Sequence, residues 1–109
     1  MIKLQCPGRD KVNLNQLVQE AHQNAVEHGF WGPGRQNIAE KLALIHSEVS
    51  EALEAHRNAD GIEAVAEELA DVVIRVGDLA GYMDIDLENA VLKKMAQNKS
   101  RPFLHGKMY

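Results

Sequence analysis

The chain holds a single cysteine, Cys6, among its 109 residues. One thiol closes no internal disulfide, and Cys6 reads as an inert thiol in a loop. The histidines, His22, His28, His46, His56 and His105, are scattered, so no Cys/His cluster has zinc-ligand spacing. None of them follows a Glu or Asp by three residues, which removes the Glu-x-x-His pairs of di-iron bundles. Walker loops and dinucleotide fingerprints are missing as well. No apolar run approaches the length of a membrane span, and the first eight residues lack the apolar stretch of a signal peptide. The expectation is a cytoplasmic chain with no membrane partner. Aromatics are few: two Phe, two Tyr and one Trp. The net charge of −4 argues against a general nucleic-acid binder. Base is scarce where acid is dense. Residues 40–88 carry thirteen acids against three bases, whereas residues 89–109 carry five bases and no acid. An acidic centre with a basic tail fits a metal cradle with a phosphate clamp, or a solvated acidic face with a basic terminus.

What is present reads as one all-α domain over 1–109, with an extended segment at 1–12 and a tail at 102–109. Four helices are expected. The first spans about 14–28, with Asn13 and Gln16 as a capping box and Gly29 as its stop. A Gly/Pro-rich loop covers 29–36. The second spans about 38–57, capped by Asn37 with Glu40. Its apolar stripe is Ile38, Leu42, Ile45, Val49, Ala52 and Leu53. The third spans about 61–80, capped by Asp60 with Glu63, and is apolar nearly all round from Leu69 to Ala80, as a helix surrounded by neighbours would be. The fourth starts near Asp84 or Asp86 and runs to about Asn98, with Leu87, Ala90, Val91 and Met95 facing inward and Pro102 as a stop.

Two acidic pairs stand out, Glu48-x-x-Glu51 and Glu68-x-x-Asp71, on consecutive helices. A spacing of three puts both carboxylates of a pair on one helix face. Leu44 and Ala55 flank the first pair and point to its partial burial. Four carboxylates brought together repel unless cations intervene, and hard oxygen ligands favour magnesium, manganese or calcium. A plainer reading of the second pair is a surface ion pair between Asp71 and Arg75.

With these pairs in view, the chain resembles the MazG-like family of the all-α nucleoside triphosphate pyrophosphatase superfamily. Glu48, Glu51, Glu68 and Asp71 match its acidic pattern, and Lys94, Asn98, Arg101 and Pro102 match its second element. Ser47 departs from it, since many relatives have Glu there. The resemblance implies a four-helix bundle completed by dimerisation or tetramerisation. It implies Mg2+-dependent hydrolysis of NTP or dNTP between the α and β phosphates, with Mn2+ as a substitute, giving a monophosphate and pyrophosphate. Glu48, Glu51, Glu68 and Asp71 would be catalytic and hold the metal. Lys94, Asn98 and Arg101 would clamp the triphosphate, with Lys107 and His105 behind them, and Phe30 and Trp31 would contact the base. Phosphoribosyl-ATP pyrophosphatase and a non-catalytic, nucleotide- or partner-binding helical dimer are the alternatives.

Overall fold

In the computed structural model, which describes residues 11–34 and 37–108, every regular element is helical. Cys6 and the segment 1–10 lie outside the described residues. The order is α1 (Leu14–Glu27), α2 (Ile38–Arg57), α3 (Ile62–Tyr82) and α4 (Leu87–Ser100), followed by a short 3-10 turn, Phe103–Gly106. No strand occurs among the described residues. Among the described residues no helix is long and apolar enough to cross a membrane.

Local chemistry sets most helix starts. Asn13 accepts from the Gln16 N–H at 2.8 Å, and the Gln16 side chain accepts from the Asn13 N–H at 3.0 Å, which completes the expected capping box. Asn37 caps α2 by accepting from the Glu40 N–H at 3.1 Å, without the reciprocal bond from Glu40. Asp86 starts α4 by accepting from the Asn89 N–H at 3.1 Å. The expectation for α3 was wrong. Gly61, not Asp60, is its N-cap, and no side chain caps it.

The helix ends share one solution. α1, α2 and α3 each close with an N–H reaching back five residues: Phe30 to Ala25, Asp60 to Ala55 and Ile85 to Ala80, at 2.9–3.0 Å. The residue before each donor, Gly29, Ala59 or Asp84, has the positive φ that this Schellman geometry requires. Gly81 does not stop α3, which continues to Tyr82.

α3 is the central helix, packed along both α1 and α2. Two glycines allow α1 to approach it. A Cβ on Gly81 would lie 2.6 Å from His22 Cβ, and one on Gly77 would lie 2.8 Å from Leu17 Cδ2. α4 packs on α1. Their N-termini bind each other: Asn15 donates to Asp86 (3.0 Å) and accepts from the Glu88 N–H (3.2 Å), while the Glu88 carboxylate accepts from the Leu14 N–H (3.2 Å).

The core is made of small residues. Val18, Ala25, Trp31, Ala52, Ala55, Leu79 and Ala80 are the buried apolar residues among those described. α2 buries Lys41, Glu48, Ala52 and Ala55, with Ile45 half-buried. Ile45 and Ala52 of its expected stripe are covered, but Leu42, Val49 and Leu53 are left half exposed. On α4, Leu87 is half-buried as expected, whereas Ala90, Val91 and Met95 are exposed, Met95 at 62 %.

Candidate metal centre

The face that α2 turns toward α3 carries Lys41, Ile45, Glu48, Ala52 and Ala55, at alternating spacings of four and three. Glu48 is thus buried by the packing of the two helices, at 7 % exposure. α3 answers with Glu68, Asp71, Arg75 and Asp78, again at spacings of three and four. Glu48, Glu68 and Asp71 each bring one carboxylate oxygen to within 4.8 Å of the others. Glu48 is buried, Glu68 half-buried and Asp71 exposed. Among the described residues this is the one group of three or more Asp, Glu, His or Cys side chains gathered closely enough to hold a metal ion. All three donors are hard oxygens, a set that suits hard divalent cations such as magnesium, manganese or calcium.

Glu51, the fourth carboxylate expected in this set, stands outside the triad and is exposed. It remains electrostatically tied to it. A hydrogen bond to Glu48, then the charges of Glu48, Glu68 and Asp71, raise the Glu51 pKa above its ordinary value. Burial first, then the charge of Asp71, raises that of Glu68. Glu48 goes the other way because Arg75 donates to it, and this outweighs the cost of burial. Arg75 Nε lies 2.8 Å from Glu48 Oε1. The expected Asp71–Arg75 surface pair is therefore replaced by a bond between helices. The buried carboxylate has the greater need of a partner, and α3 presents Arg75 to it.

A cleft of about 250 Å³ opens beside the triad, lined by Phe30, Lys41, Glu48, Asp71, Ile74, Arg75 and Asp78. Behind Lys41 and Asp78, an aromatic and polar cluster pins the 28–34 turn to the helices. Trp31 stacks on Tyr82, with ring centroids 4.0 Å apart. Its Nε1–H donates to Asp78 Oδ1 at 2.7 Å, and His22 Nδ1 meets the same oxygen at 2.9 Å. Lys41 Nζ lies 4.5 Å from the Trp31 ring centroid and donates to the Phe30 carbonyl at 2.7 Å. Lys41 is buried, its charge held against an aromatic face and a carbonyl.

The expected substrate residues separate into two groups. Phe30 is half exposed and lines the cleft. Trp31 is 7 % exposed, between Tyr82 and the Lys41 ammonium, and this arrangement leaves no open face for a base to stack on. Lys94, Asn98 and Arg101 lie along and just beyond α4, which packs on α1, and none of them lines the cleft. Lys107 follows the terminal 3-10 turn, His105 lies within it, and both are likewise outside the cleft lining. Asn98 Oδ1 is buried without a hydrogen-bond partner among the described residues. Lys41, Arg75 and Asp78 were not singled out as site residues from sequence. A signal existed: Lys41 precedes Glu48 by seven residues, and Arg75 and Asp78 follow Asp71 by four and seven, all in-face spacings.

Comparison with known proteins returns no match to this chain from family models, curated proteins or solved structures.

Proposed function

We propose that this chain is a magnesium-dependent nucleoside triphosphate pyrophosphohydrolase of the MazG-like type, cleaving an NTP or dNTP between the α and β phosphates. The observation that carries the reading is the gathering of Glu48, Glu68 and Asp71 beside a cleft that also holds two cations, Lys41 and Arg75. A triphosphate requires both a metal cradle and positive charge nearby, and few other small-molecule substrates require the two together. The resemblance in the acidic pairs and in the Lys94–Asn98–Arg101 element supports the same reading.

Glu48, Glu68 and Asp71 would hold the ion. Magnesium held there supplies charge neutralisation of the triphosphate and a water of lowered pKa. We assign the proton of the attacking water to Glu51. It stands outside the triad, exposed, one helical turn from Glu48 on the same helix face. Phe30 offers an exposed ring at the cleft for a base or sugar.

The α4 edge enters this reading through a second copy of the chain. Leu42, Val49 and Leu53 on α2 and Leu69 and Val73 on α3 are all about half exposed, which makes an apolar surface suited to a homodimer or homotetramer. Because Lys94, Asn98 and Arg101 do not line the cleft of their own chain, we propose that in such an assembly they serve the acidic cleft of another subunit.

The test is incubation of the purified protein with a panel of NTPs and dNTPs, with and without magnesium, and identification of products. Monophosphate plus pyrophosphate, formed only with the metal, is expected. A panel in which no nucleotide is cleaved at that bond would sink the proposal.

A further inference from the structure

Glu48 has two claimants. It supplies one of the three oxygens gathered within 4.8 Å, and it accepts the Arg75 Nε–H at 2.8 Å. An ion at ligand distance from this carboxylate, about 2.0–2.6 Å for magnesium or calcium, would sit beside a guanidinium bound to the same group. Arginine cannot relieve that repulsion by losing a proton. It must move, or the ion binds weakly.

The geometry lets it move. Arg75 holds Glu48 through Nε alone, and its two terminal nitrogens have no protein partner among the described residues. Its side chain is 35 % exposed, against 10 % for that of Glu48, so the mobile partner is the arginine. Asp71, four residues earlier on the same helix, forms no ion pair with it among the described residues and is left to the triad. Both residues line the cleft that holds Lys41.

We propose that Arg75 is an internal counter-ion of Glu48 that competes with a bound divalent cation and, once displaced, takes an anionic phosphate group of the substrate in the same cleft. The inference rests on the pyrophosphohydrolase reading and adds a phosphate-binding residue that the sequence resemblance does not include. A guanidinium released from one carboxylate can turn its fork to two phosphate oxygens.

Calorimetric titration with Mn2+, and then with inorganic tripolyphosphate in the presence of Mn2+, tests the proposal in wild type, Arg75→Gln and Arg75→Lys. Tripolyphosphate avoids any dependence on the base. Removing the competing charge in Arg75→Gln should tighten Mn2+ binding roughly tenfold and weaken tripolyphosphate binding roughly tenfold or more. Arg75→Lys, which keeps the charge and loses the fork, should leave Mn2+ affinity near wild type and recover part of the tripolyphosphate affinity. If Arg75 only orients Glu48, Arg75→Gln weakens Mn2+ binding or leaves it unchanged, and either result overturns the proposal. Thermal unfolding covers a variant that folds poorly. Mn2+ should raise the Tm of Arg75→Gln more than that of wild type, because the ion replaces the lost charge. A variant rescued by Mn2+ supports the proposal, and one that stays unfolded with Mn2+ overturns it. Wild type that binds no Mn2+ would overturn the metal reading as a whole. That result is distinct from wild-type binding with no gain in Arg75→Gln, which overturns this inference alone.

Discussion

At the scale of single residues, the distinction between Glu51 and the triad is the sharpest prediction. Glu68→Gln and Asp71→Asn each remove a ligand atom, so the rise in Tm on adding Mn2+ should vanish in both. Glu51→Gln should keep that rise, with affinity reduced about tenfold, as for a partner beyond the ligands, while turnover falls further. Thermal shift and single-turnover assays separate the two effects. The pH dependence follows from the same groups. Glu51 and Glu68 have raised pKa values, so above their ordinary 4.5 the folded chain holds more protons than the unfolded one. Without metal, stability from these two groups therefore falls as pH rises through the window above 4.5. Glu48 has the opposite sign: the stability from its pairing with Arg75 is present above 4.5 and is lost as pH falls through its lowered pKa. Metal needs the carboxylates ionised, so the Mn2+-induced rise in Tm should grow with pH across the upper window, and Glu68→Gln should flatten that growth. Spacing alone made the acidic pairs legible in the sequence. It could not tell Glu51 from its neighbours, because one turn of helix puts both residues of a pair on a common face while the facing helix decides which is covered. The plainer reading of Arg75 as a surface partner of Asp71 fails for a related reason. Asp71 is one helical turn away in sequence, but Glu48 on the facing helix is the buried acid.

At the scale of elements, helix existence was readable from periodicity and caps, and helix orientation was less so. Asn13, Asn37 and Asp86 cap as their chemistry dictates, whereas Gly61 starts α3 without a side-chain bond. On α2 the packing covers one edge of the apolar stripe, Ile45 and Ala52, together with Lys41 and Glu48 beside it. Hydrophobicity could not anticipate that, because a charged pair with partners displaced leucines from the interface. Two predictions belong here. Ala59 occupies the left-handed position that ends α2, with φ 56°. Ala59→Gly should raise the unfolding free energy by about 0.5–1 kcal/mol, read by urea denaturation. Gly81 sits where α1 and α3 touch, and a methyl group there meets His22 Cβ and the Val18 carbonyl oxygen. Gly81→Ala should destabilise by about 1–3 kcal/mol in the same assay. Gly77→Ala should cost less, since its nearest neighbour is the far end of a leucine side chain.

At the scale of the whole molecule, the four-helix all-α architecture was legible and the share of the core each helix supplies was not. Few large side chains are covered, and α2, α3 and α4 all leave leucines, valines or methionines half exposed. A second copy is the economical cover, and analytical ultracentrifugation should find a dimer or tetramer. Leu53→Asp, at a residue 54 % exposed in the chain, should shift that assembly toward monomer while far-ultraviolet circular dichroism stays helical. If the α4 edge reaches the acidic cleft of another subunit, hydrolysis should fall in step with the assembly. The tie between the 28–34 turn and the helices has an optical consequence. The one indole in the chain lies over a phenol ring, with its N–H on a carboxylate and an ammonium near its centroid, both of them from side chains that line the cleft. Its emission is therefore a native reporter: blue-shifted while the turn is docked, red-shifted if the turn lifts, and open to quenching by a paramagnetic ion in the neighbouring carboxylates, with no label attached.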